Sequence, residues 1–366
     1  MFCRLMFILS IILALSEASY RDLGRVVLTN VVFNHGETKL WNEESYRSES
    51  FIGLRNSGME QMFDLGRHLR TKYKKILPTK YSPHDIYVRS TDIDWTLMSA
   101  ELVLAGLYPA VGDQIWKRLM YPWRPIPVHT VPVQKDNLLA GQKPCLGYGE
   151  ALQEAIEKTV SKSVSNEKQM KSNPIKDFLD TTGERINEPA TLVYWYKKLL
   201  SESGQNKTPL DWTNNVWSSE IPLSLNATYS LFESNKYLHR YRSGPLIKEM
   251  VFHMRQKVND TLRPNRKVFM YSAHDESIAS LLMALGVSEH PFWPTYSAVV
   301  FLELRVTRQN EYVVTISYID LQNKLTLLTL PGCTSVCPLS TFIKLIEHLI
   351  PRNWDEECLQ TQERTF

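Results

Sequence analysis

The chain has 366 residues, of which 43% are apolar and 22% charged, and its net charge is +3. This composition is ordinary for a globular protein and excludes a disordered, collagenous or coiled-coil chain. The small and dispersed charge gives no reason to expect a nucleic-acid partner, which requires clustered Lys and Arg. The length predicts two domains or one large one.

A short apolar run at the extreme N-terminus predicts a secretion signal. Arg4 precedes the run over residues 5–15, and small residues follow at Ser16 and Ala18. Such a basic start, apolar middle and small-residue end is typical of a signal peptide, so we expect one over residues 1–18. The run is too short to span a bilayer. Since no second run follows, we expect a secreted protein without a membrane anchor, and favour the extracellular space over the lysosomal lumen.

The first part of the mature chain alternates strands and helices. The segment over 25–33 is β-branched and almost continuously apolar, which is typical of a buried parallel strand. In the segments that follow, apolar residues recur with the spacing of an amphipathic helix or form a short strand-like run. The prediction is a strand, a helix, a strand and a helix over residues 25–33, 57–73, 86–88 and 91–107.

The middle of the chain has few strand signals and several polar helical stretches. We interpret residues 148–259 as a mostly helical cap inserted into a core domain formed by residues 19–147 and 260–366. Three Asn-x-Ser/Thr sequons in this cap predict glycosylation of a secreted chain. They are at Asn206, Asn226 and Asn259.

The alternation returns in the last third of the chain. A strand is predicted over 267–271, followed by a helix with Asp275 as its N-cap and Gly286 as its stop. Two further strand-like stretches cover 298–306 and 311–318. Strand–helix alternation at both ends predicts an α/β fold, with a largely parallel sheet core and flanking helices.

Four cysteines remain once the signal peptide is removed, and an even count in an oxidising compartment suggests two disulfides. Cys333 and Cys337 flank a tight loop, which favours a local bridge, and by elimination Cys145 would pair with Cys358. The alternative is a zinc site with four Cys ligands. It is disfavoured because the ligands lack paired short spacings.

Two histidines each follow a predicted buried strand directly. His35 is followed by Gly36, and His274 is followed by Asp275. If both strands lie in one parallel sheet, both histidines lie at its C-terminal edge, where ligands bind in α/β folds. Gly36 would let the backbone pass close to a ligand. A His nucleophile, a second His and a carboxyl group suit phosphoryl or acyl transfer. The alternative is that both histidines are ordinary core residues and Asp275 only caps a helix.

Longer stretches around these residues resemble the histidine acid phosphatases, the secreted and lysosomal branch of the histidine phosphatase superfamily. The similarity extends in order over nearly the whole mature chain. It is carried by the segments Gly58–Gln61, Val88–Ala100, Pro125–Pro132, Tyr271–Asp275 and Leu330–Cys333. The resemblance implies a histidine phosphatase fold, and the inferred cysteine pairs agree with two family disulfides. A third family bridge has no cysteines here.

The resemblance also implies roles for the three residues at the strand ends. His35 is in the position of the nucleophile that attacks phosphorus and becomes phosphohistidine. His274 is in the position of a second phosphate-binding His, and Asp275 in that of the acid that protonates the leaving oxygen. The resemblance implies neither a metal nor another cofactor.

The three phosphate-binding arginines of the family are missing. Two belong to an Arg-His-Gly-x-Arg-x-Pro motif and the third to an Asp-x-Asp-Arg-Thr segment. In this chain the three positions carry Asn34, Thr38 and Trp95. Arg89 lies near the third position but is not a phosphate arginine in the family, so we expect it to be structural.

These departures favour a secreted phosphatase-like protein that is weakly active or inactive and has a binding role. Its cleft would hold a phosphate monoester or a less anionic small ligand. The alternative is a functional acid phosphatase that hydrolyses phosphate monoesters through phosphohistidine. The stretch over 123–129 resembles the segment that family dimers use at their interface, so we expect a homodimer.

Overall fold

The structure is a computed structural model that describes residues 23–38, 53–115, 123–165, 235–287, 293–320 and 324–359. The predicted signal peptide, the sequons at Asn206 and Asn226 and a large part of the predicted cap lie outside these residues. Asn259 is described, and it is exposed at the end of a helix. Glycosylation at all three sites stays a prediction.

A mixed β-sheet forms the centre of the described fold. Its strands run in the order β2-β3-β1-β4-β5-β6, and β7 pairs with β5. β1 and β2 each pair with β3 in parallel, whereas β4, β5 and β6 continue the sheet in antiparallel pairs. The strands are β1 (Arg25–Asn34), β2 (Ile86–Ser90), β3 (Val268–Ala273), β4 (Val299–Val306), β5 (Tyr312–Ile319), β6 (Leu325–Leu328) and β7 (Cys337–Pro338). The predicted α/β fold with a parallel core is confirmed.

Helices cover both faces of this sheet. They are α1 (Asn56–Lys72), α2 (Asp94–Leu107), α3 (Leu146–Ser165), α4 (Lys236–Arg242), α5 (Gly244–Val258), α6 (Asp275–Leu285), α7 (Leu339–Ile346) and α8 (Trp354–Leu359). Short 3₁₀ turns lie at Gly112–Gln114, Val133–Lys135 and Glu347–Leu349. Because successive strand side chains point to opposite faces, Phe33 packs with α1 and α2, whereas Val32 packs with α5 and α6.

Two glycines allow α1 and α2 to touch along their backbones. A Cβ atom at Gly66 would lie 2.1 Å from the carbonyl oxygen of Val103, and one at Gly106 would lie 2.1 Å from that of Phe63. Real Cβ atoms do not approach so closely, so any larger residue would push the helices apart. This contact fixes α2, whose first turn carries Trp95, against α1.

Both predicted disulfides are present. Cys145 bonds to Cys358 and joins the region before α3 to α8, and Cys333 bonds to Cys337 next to β7. With all four sulfurs in disulfides, the alternative of a Cys zinc site is wrong. Among the residues that the structure describes, no group of His, Cys, Asp and Glu side chains is arranged to hold a metal ion. No helix in the described part of the chain is long and apolar enough to cross a membrane.

One helix of the predicted cap range belongs to the packing of the sheet. α5 buries Leu246, Ile247 and Met250 in the same apolar cluster as Phe269 of β3. Because residues 166–234 lie outside the described ranges, the division into core and cap stays a prediction.

Candidate active site

The two histidines of interest meet at one edge of the sheet. β1 ends at Asn34 and β3 ends at Ala273, and these two residues are register partners in the parallel pair. The next residue on each strand is a histidine, so His35 and His274 are brought side by side with ring centroids 5.7 Å apart. The sequence analysis predicted this juxtaposition from the positions of the two strands.

The imidazole of His35 is held by its own backbone turn. Its Nδ1 lies 2.8 Å from the carbonyl oxygen of Gly36. A carbonyl oxygen only accepts hydrogen bonds, so in the neutral ring the proton is on Nδ1 and the lone pair is on Nε2. A lone pair on Nε2 is what a histidine nucleophile requires.

His274 is oriented from the turn before α2. Its Nε2 lies 3.1 Å from Oγ1 of Thr91, and that hydroxyl lies 2.7 Å from Oγ1 of Thr96. Both threonines are buried. The ring is therefore fixed by hydroxyl groups that the sequence analysis did not single out.

Asp275 follows His274 and begins α6. It was predicted as the N-cap, but His274 occupies the N-cap position, and no side chain caps the helix there. The carboxylate of Asp275 instead accepts hydrogen bonds from the indole Nε1 of Trp293 at 2.7 Å and from the backbone N–H of Glu276 at 2.9 Å. Only 7% of Asp275 is exposed. The prediction that Asp275 is the N-cap is therefore wrong, and its role as the acid stays a prediction.

Two of the three uncharged replacement residues lie around His35. The Asn34 side chain is buried, and its Nδ2 donates to the carbonyl oxygen of Thr295 at 2.8 Å. The indole of Trp95 lies edge-on to His35 with ring centroids 6.1 Å apart. Neither residue brings a positive charge to the strand edge.

The third replacement, Thr38, lies where the chain runs beside the entry to α1. It forms an isolated bridge with Leu54, and its carbonyl oxygen accepts from Nε of Arg55 at 3.3 Å. The same Nε lies 3.5 Å from a carboxylate oxygen of Glu37. This arginine is thus tied to backbone and carboxylate groups of the turn after His35.

Gly36 has a packing role that differs from the predicted one. A Cβ atom there would lie 2.4 Å from the carbonyl oxygen of Gly58 in the first turn of α1. This close approach to α1 by itself requires glycine at position 36. Its N–H donates to Oγ of Ser99 in α2 at 3.1 Å, which further fixes the turn that carries His35.

The segment before β4 supplies site residues that sequence reasoning missed. The N–H of Ser297 donates to the carbonyl oxygen of His35, and the N–H of Asn34 donates to that of Ala298. These bonds bring the ring of Tyr296 to a centroid distance of 5.7 Å from His35. Nothing in the local pattern of residues 293–298 marks them as site residues, because their place depends on the β1–β4 pairing.

Arg89 lies in a separate polar cluster. Its Nη2 pairs with Oδ1 of the fully buried Asp136 at 2.9 Å. The same carboxylate accepts N–H groups from residues 138–140. This is the arrangement expected of a structural arginine.

The geometry and the sequence together define the class of protein. The model of the histidine phosphatase superfamily, branch 2, matches residues 32–318, and the chain belongs to this family. The Hafnia alvei phytase in complex with tartrate shares the fold, with a TM-score of 0.64 over 90% of this chain and 98% of that chain at 18% identity.

Within this family the chain is similar to acid phosphatases. It is 34% identical to human prostatic acid phosphatase over 90% of this chain and 87% of the relative. It is 30% identical to the venom acid phosphatase Acph-1 of Apis mellifera, over 90% of this chain and 86% of the relative. The family resemblance stated from the sequence is confirmed.

Proposed function

We propose that this chain is a secreted member of the acid phosphatase family with weak or no phosphomonoesterase activity, whose cleft binds a small ligand less anionic than phosphate. One observation carries the proposal. At the positions that the resemblance assigns to phosphate-binding arginines, Asn34, Thr38 and Trp95 bring no positive charge.

The energetic consequence of this exchange is large. A phosphate monoester carries between one and two negative charges at acid to neutral pH, and each charge-assisted hydrogen bond to it is worth about 1.5–3 kcal/mol. A single arginine acting on a transferring phosphoryl group can contribute about 10³–10⁵ in rate. Even a sum of about 5–8 kcal/mol for three arginines corresponds to roughly four to six decades in rate.

The remaining groups can still perform parts of the reaction. His35 has the tautomer of a nucleophile, because its Nδ1 faces the carbonyl oxygen of Gly36. In the family reaction Nε2 would form a bond to phosphorus as the ester P–O bond breaks, and Asp275 would give its proton to the leaving oxygen. What the site lacks is the electrostatic stabilisation that usually dominates such a step.

The alternative function is a working acid phosphatase, and the retained His35 tautomer and the acid phosphatase relatives favour it. It would use neutral donors in place of the guanidinium groups. The two functions differ in how the site treats phosphate, so a binding measurement separates them.

The secretory origin rests on the sequence and on the cysteines. Two disulfides are typical of an oxidising compartment. The apolar run over 1–18 and the three sequons support the same origin. We therefore include the signal peptide, the glycans and secretion in the proposal.

The test is a titration of the purified protein with inorganic phosphate and with vanadate near pH 5, beside an assay with a chromogenic phosphate monoester. We expect phosphate binding no tighter than millimolar, and turnover near that of the His35→Ala variant. The variant is the proper blank because it removes the nucleophile and leaves the replacement positions unchanged. A low-micromolar dissociation constant together with His35-dependent turnover would establish the alternative function.

A further inference from the structure

Four aromatic rings surround the edge of the sheet where the nucleophile would act. Within the described ranges, three rings lie at centroid distances of 5.7–6.1 Å from the imidazole of His35, in edge-on or tilted geometry. These neighbours are Trp95, His274 and Tyr296. We call the four residues the ring cluster. Each is half-buried, so the cluster is accessible from solvent.

Carboxylate groups lie next to this cluster. The Asp275 carboxylate is 7% exposed and accepts hydrogen bonds from two neutral donors, Trp293 Nε1 and the N–H of Glu276. Asp92 and Asp94 are exposed and lie in the turn that carries Trp95. A carboxylate attracts a cation and opposes an anion by like-charge repulsion.

Buried polar atoms near the cluster also lack protein partners. Within the described ranges, Nε1 of Trp95, Oδ1 of Asn34 and Oγ1 of Thr295 are buried and have no hydrogen-bond partner. Buried polar atoms in native proteins are usually satisfied, so such atoms call for a ligand or a water molecule. One atom donates and another accepts, which suits a hydroxyl group.

We propose that the ring cluster binds an organic ammonium ion that carries a hydroxyl or similar polar group. Aromatic faces attract such cations, and Trp and Tyr rings are the strongest binders of quaternary ammonium groups. The carboxylate of Asp275 supplies the opposite charge. This inference rests on the proposed function, because it assigns a ligand class to the same cleft.

The ammonium proposal also explains why position 95 carries tryptophan where the family has arginine. An arginine at position 95 would repel an ammonium ion, whereas an indole attracts it through the face of the ring. The exchange at Trp95 therefore both removes a phosphate ligand and adds a cation ligand. The change in charge preference follows from the side chains that the chain itself carries.

The experiment is isothermal titration of the whole protein with choline, and with its neutral isostere 3,3-dimethyl-1-butanol as the matched ligand. We expect choline to bind at least about tenfold more tightly than the isostere, since only the charge differs between them. Equal binding of the two, or no binding of choline up to about 10 mM, would overturn the proposal. Saturable binding of glucose but not choline would also overturn it, in favour of a neutral polyol site.

Two variants locate the choline site. We expect Trp95→Leu to weaken choline binding by about tenfold, while Phe252→Leu, which removes an exposed ring on α5, leaves it unchanged. Asp275→Asn keeps the shape of the side chain, and we expect it to weaken choline binding but not binding of the isostere. Thermal melting shows whether each variant is folded. If neither site variant alters the affinity of the folded protein, the ring cluster is not the site.

The outcomes for the cleft and for the ligand are distinguishable. Tight phosphate binding with ester turnover contradicts the proposed function. If phosphate binds weakly and choline binds no more tightly than its neutral isostere, the proposed function is supported and only the ammonium proposal is contradicted.

Discussion

Trp293 donates its indole hydrogen to the carboxylate of Asp275 across 2.7 Å. The tryptophan lies in the segment before β4, and the aspartate begins α6, so the bond connects two elements that the chain brings together only on folding. Since Asp275 is nearly fully buried, this neutral donor replaces water that the carboxylate loses.

We predict that Trp293→Phe lowers the free energy of unfolding by about 1.5–3 kcal/mol, because a buried carboxylate loses a hydrogen bond. Urea unfolding at pH 7 measures the change. The control is Phe252→Leu, since the Phe252 ring lies outside the predicted dimer segment and is 55% exposed. Equal stability of the two variants would mean that the hydrogen bond between Trp293 and Asp275 does not contribute to the free energy of unfolding.

A second buried carboxylate lies in the middle of the β1–β4 pair, where Glu303 is opposite Thr29. Glu303 is 1% exposed, and it contacts Lys72 at 3.1 Å, Arg305, and the hydroxyl of Tyr73 at 2.7 Å. Burial opposes its ionisation, but Lys72 and Arg305 outweigh that effect and hold the pKa of Glu303 below its usual value. The network therefore favours the ionised form of Glu303 in the folded protein.

We predict that Glu303→Gln destabilises the protein by about 3 kcal/mol at pH 7, because two cations lose their buried partner. A carboxylate with a depressed folded-state pKa stabilises the fold above the unfolded-state pKa of about 4.5. That stabilisation is lost as the pH falls through the folded-state pKa. The difference between parent and variant should thus shrink below pH 4.5 in urea unfolding. A difference that stays constant from pH 7 to pH 3.5 would contradict the assigned charge state.

The sequence predicted some of this architecture well and missed other parts for identifiable reasons. The apolar face of α6 was readable because all its members, such as Ile278 and Leu282, obey helical spacing and are buried. In α1 helical spacing places Phe63 on the same side as the buried Leu65 and Leu69, but Phe63 is 40% exposed and Met62 is buried instead. The side that α1 turns to the sheet is set by its glycine contact with α2, which leaves no periodic signal.

The same distinction applies to the site. His35 and His274 could be placed together because each follows a strand, and parallel strands share an edge. Trp293 and Tyr296 could not be placed at the site from the sequence, since their position depends on the antiparallel pairing of β4 with β1. Local sequence carries little information about such long-range pairing.

Two histidines on the α4 and α5 helices make the protein less stable in acid. Burial, aided by Arg266, lowers the pKa of His253 to about 4, and burial with His348 does the same for His239. Both rings are neutral in the folded protein but take up a proton in the unfolded chain below about pH 6.5. Stability therefore falls as the pH drops from about 6.5 towards 4.

We predict that His253→Phe gains about 2 kcal/mol relative to the parent between pH 7 and pH 5, because it removes one titrating group. Phenylalanine can keep the stacking contact with Phe269, whose centroid lies 3.7 Å from that of His253. Urea unfolding at both pH values gives the comparison. An identical pH dependence of parent and variant would show that His253 does not stay neutral in the fold.

The homodimer stays a prediction, and the structure sharpens its test. His129 pairs with the backbone of β2 and so covers the outer edge of the sheet, whereas Trp123 is 48% exposed. Large aromatic residues are favoured in interface cores. We expect a dimer at micromolar concentration in sedimentation, and a monomer for Trp123→Ala. Phe252→Ala, which removes an exposed ring from α5, is the control. A monomeric parent protein would contradict the prediction.

The last prediction concerns the missing cations. We expect Asn34→Arg, Thr38→Arg and Trp95→Arg together to raise phosphomonoesterase activity by about four decades, while each single change does little. A phosphate dianion with one guanidinium is still poorly neutralised, and residues that act as a unit are strongly non-additive. The assay is hydrolysis of a chromogenic monoester from pH 4 to 7, and adding His35→Ala to the triple variant gives the blank.

The local packing determines how this result is interpreted. Asn34 is buried and holds the carbonyl of Thr295, so an arginine there must displace that contact to reach the cleft. The indole of Trp95 contacts His35 and its Nε1 is buried, so an arginine there replaces a ring contact with a flexible side chain. Thermal melting of the triple variant therefore accompanies the assay. A folded triple variant no more active than the parent would show that the three arginines are not what the site lacks, and that the shape of the cleft limits the reaction.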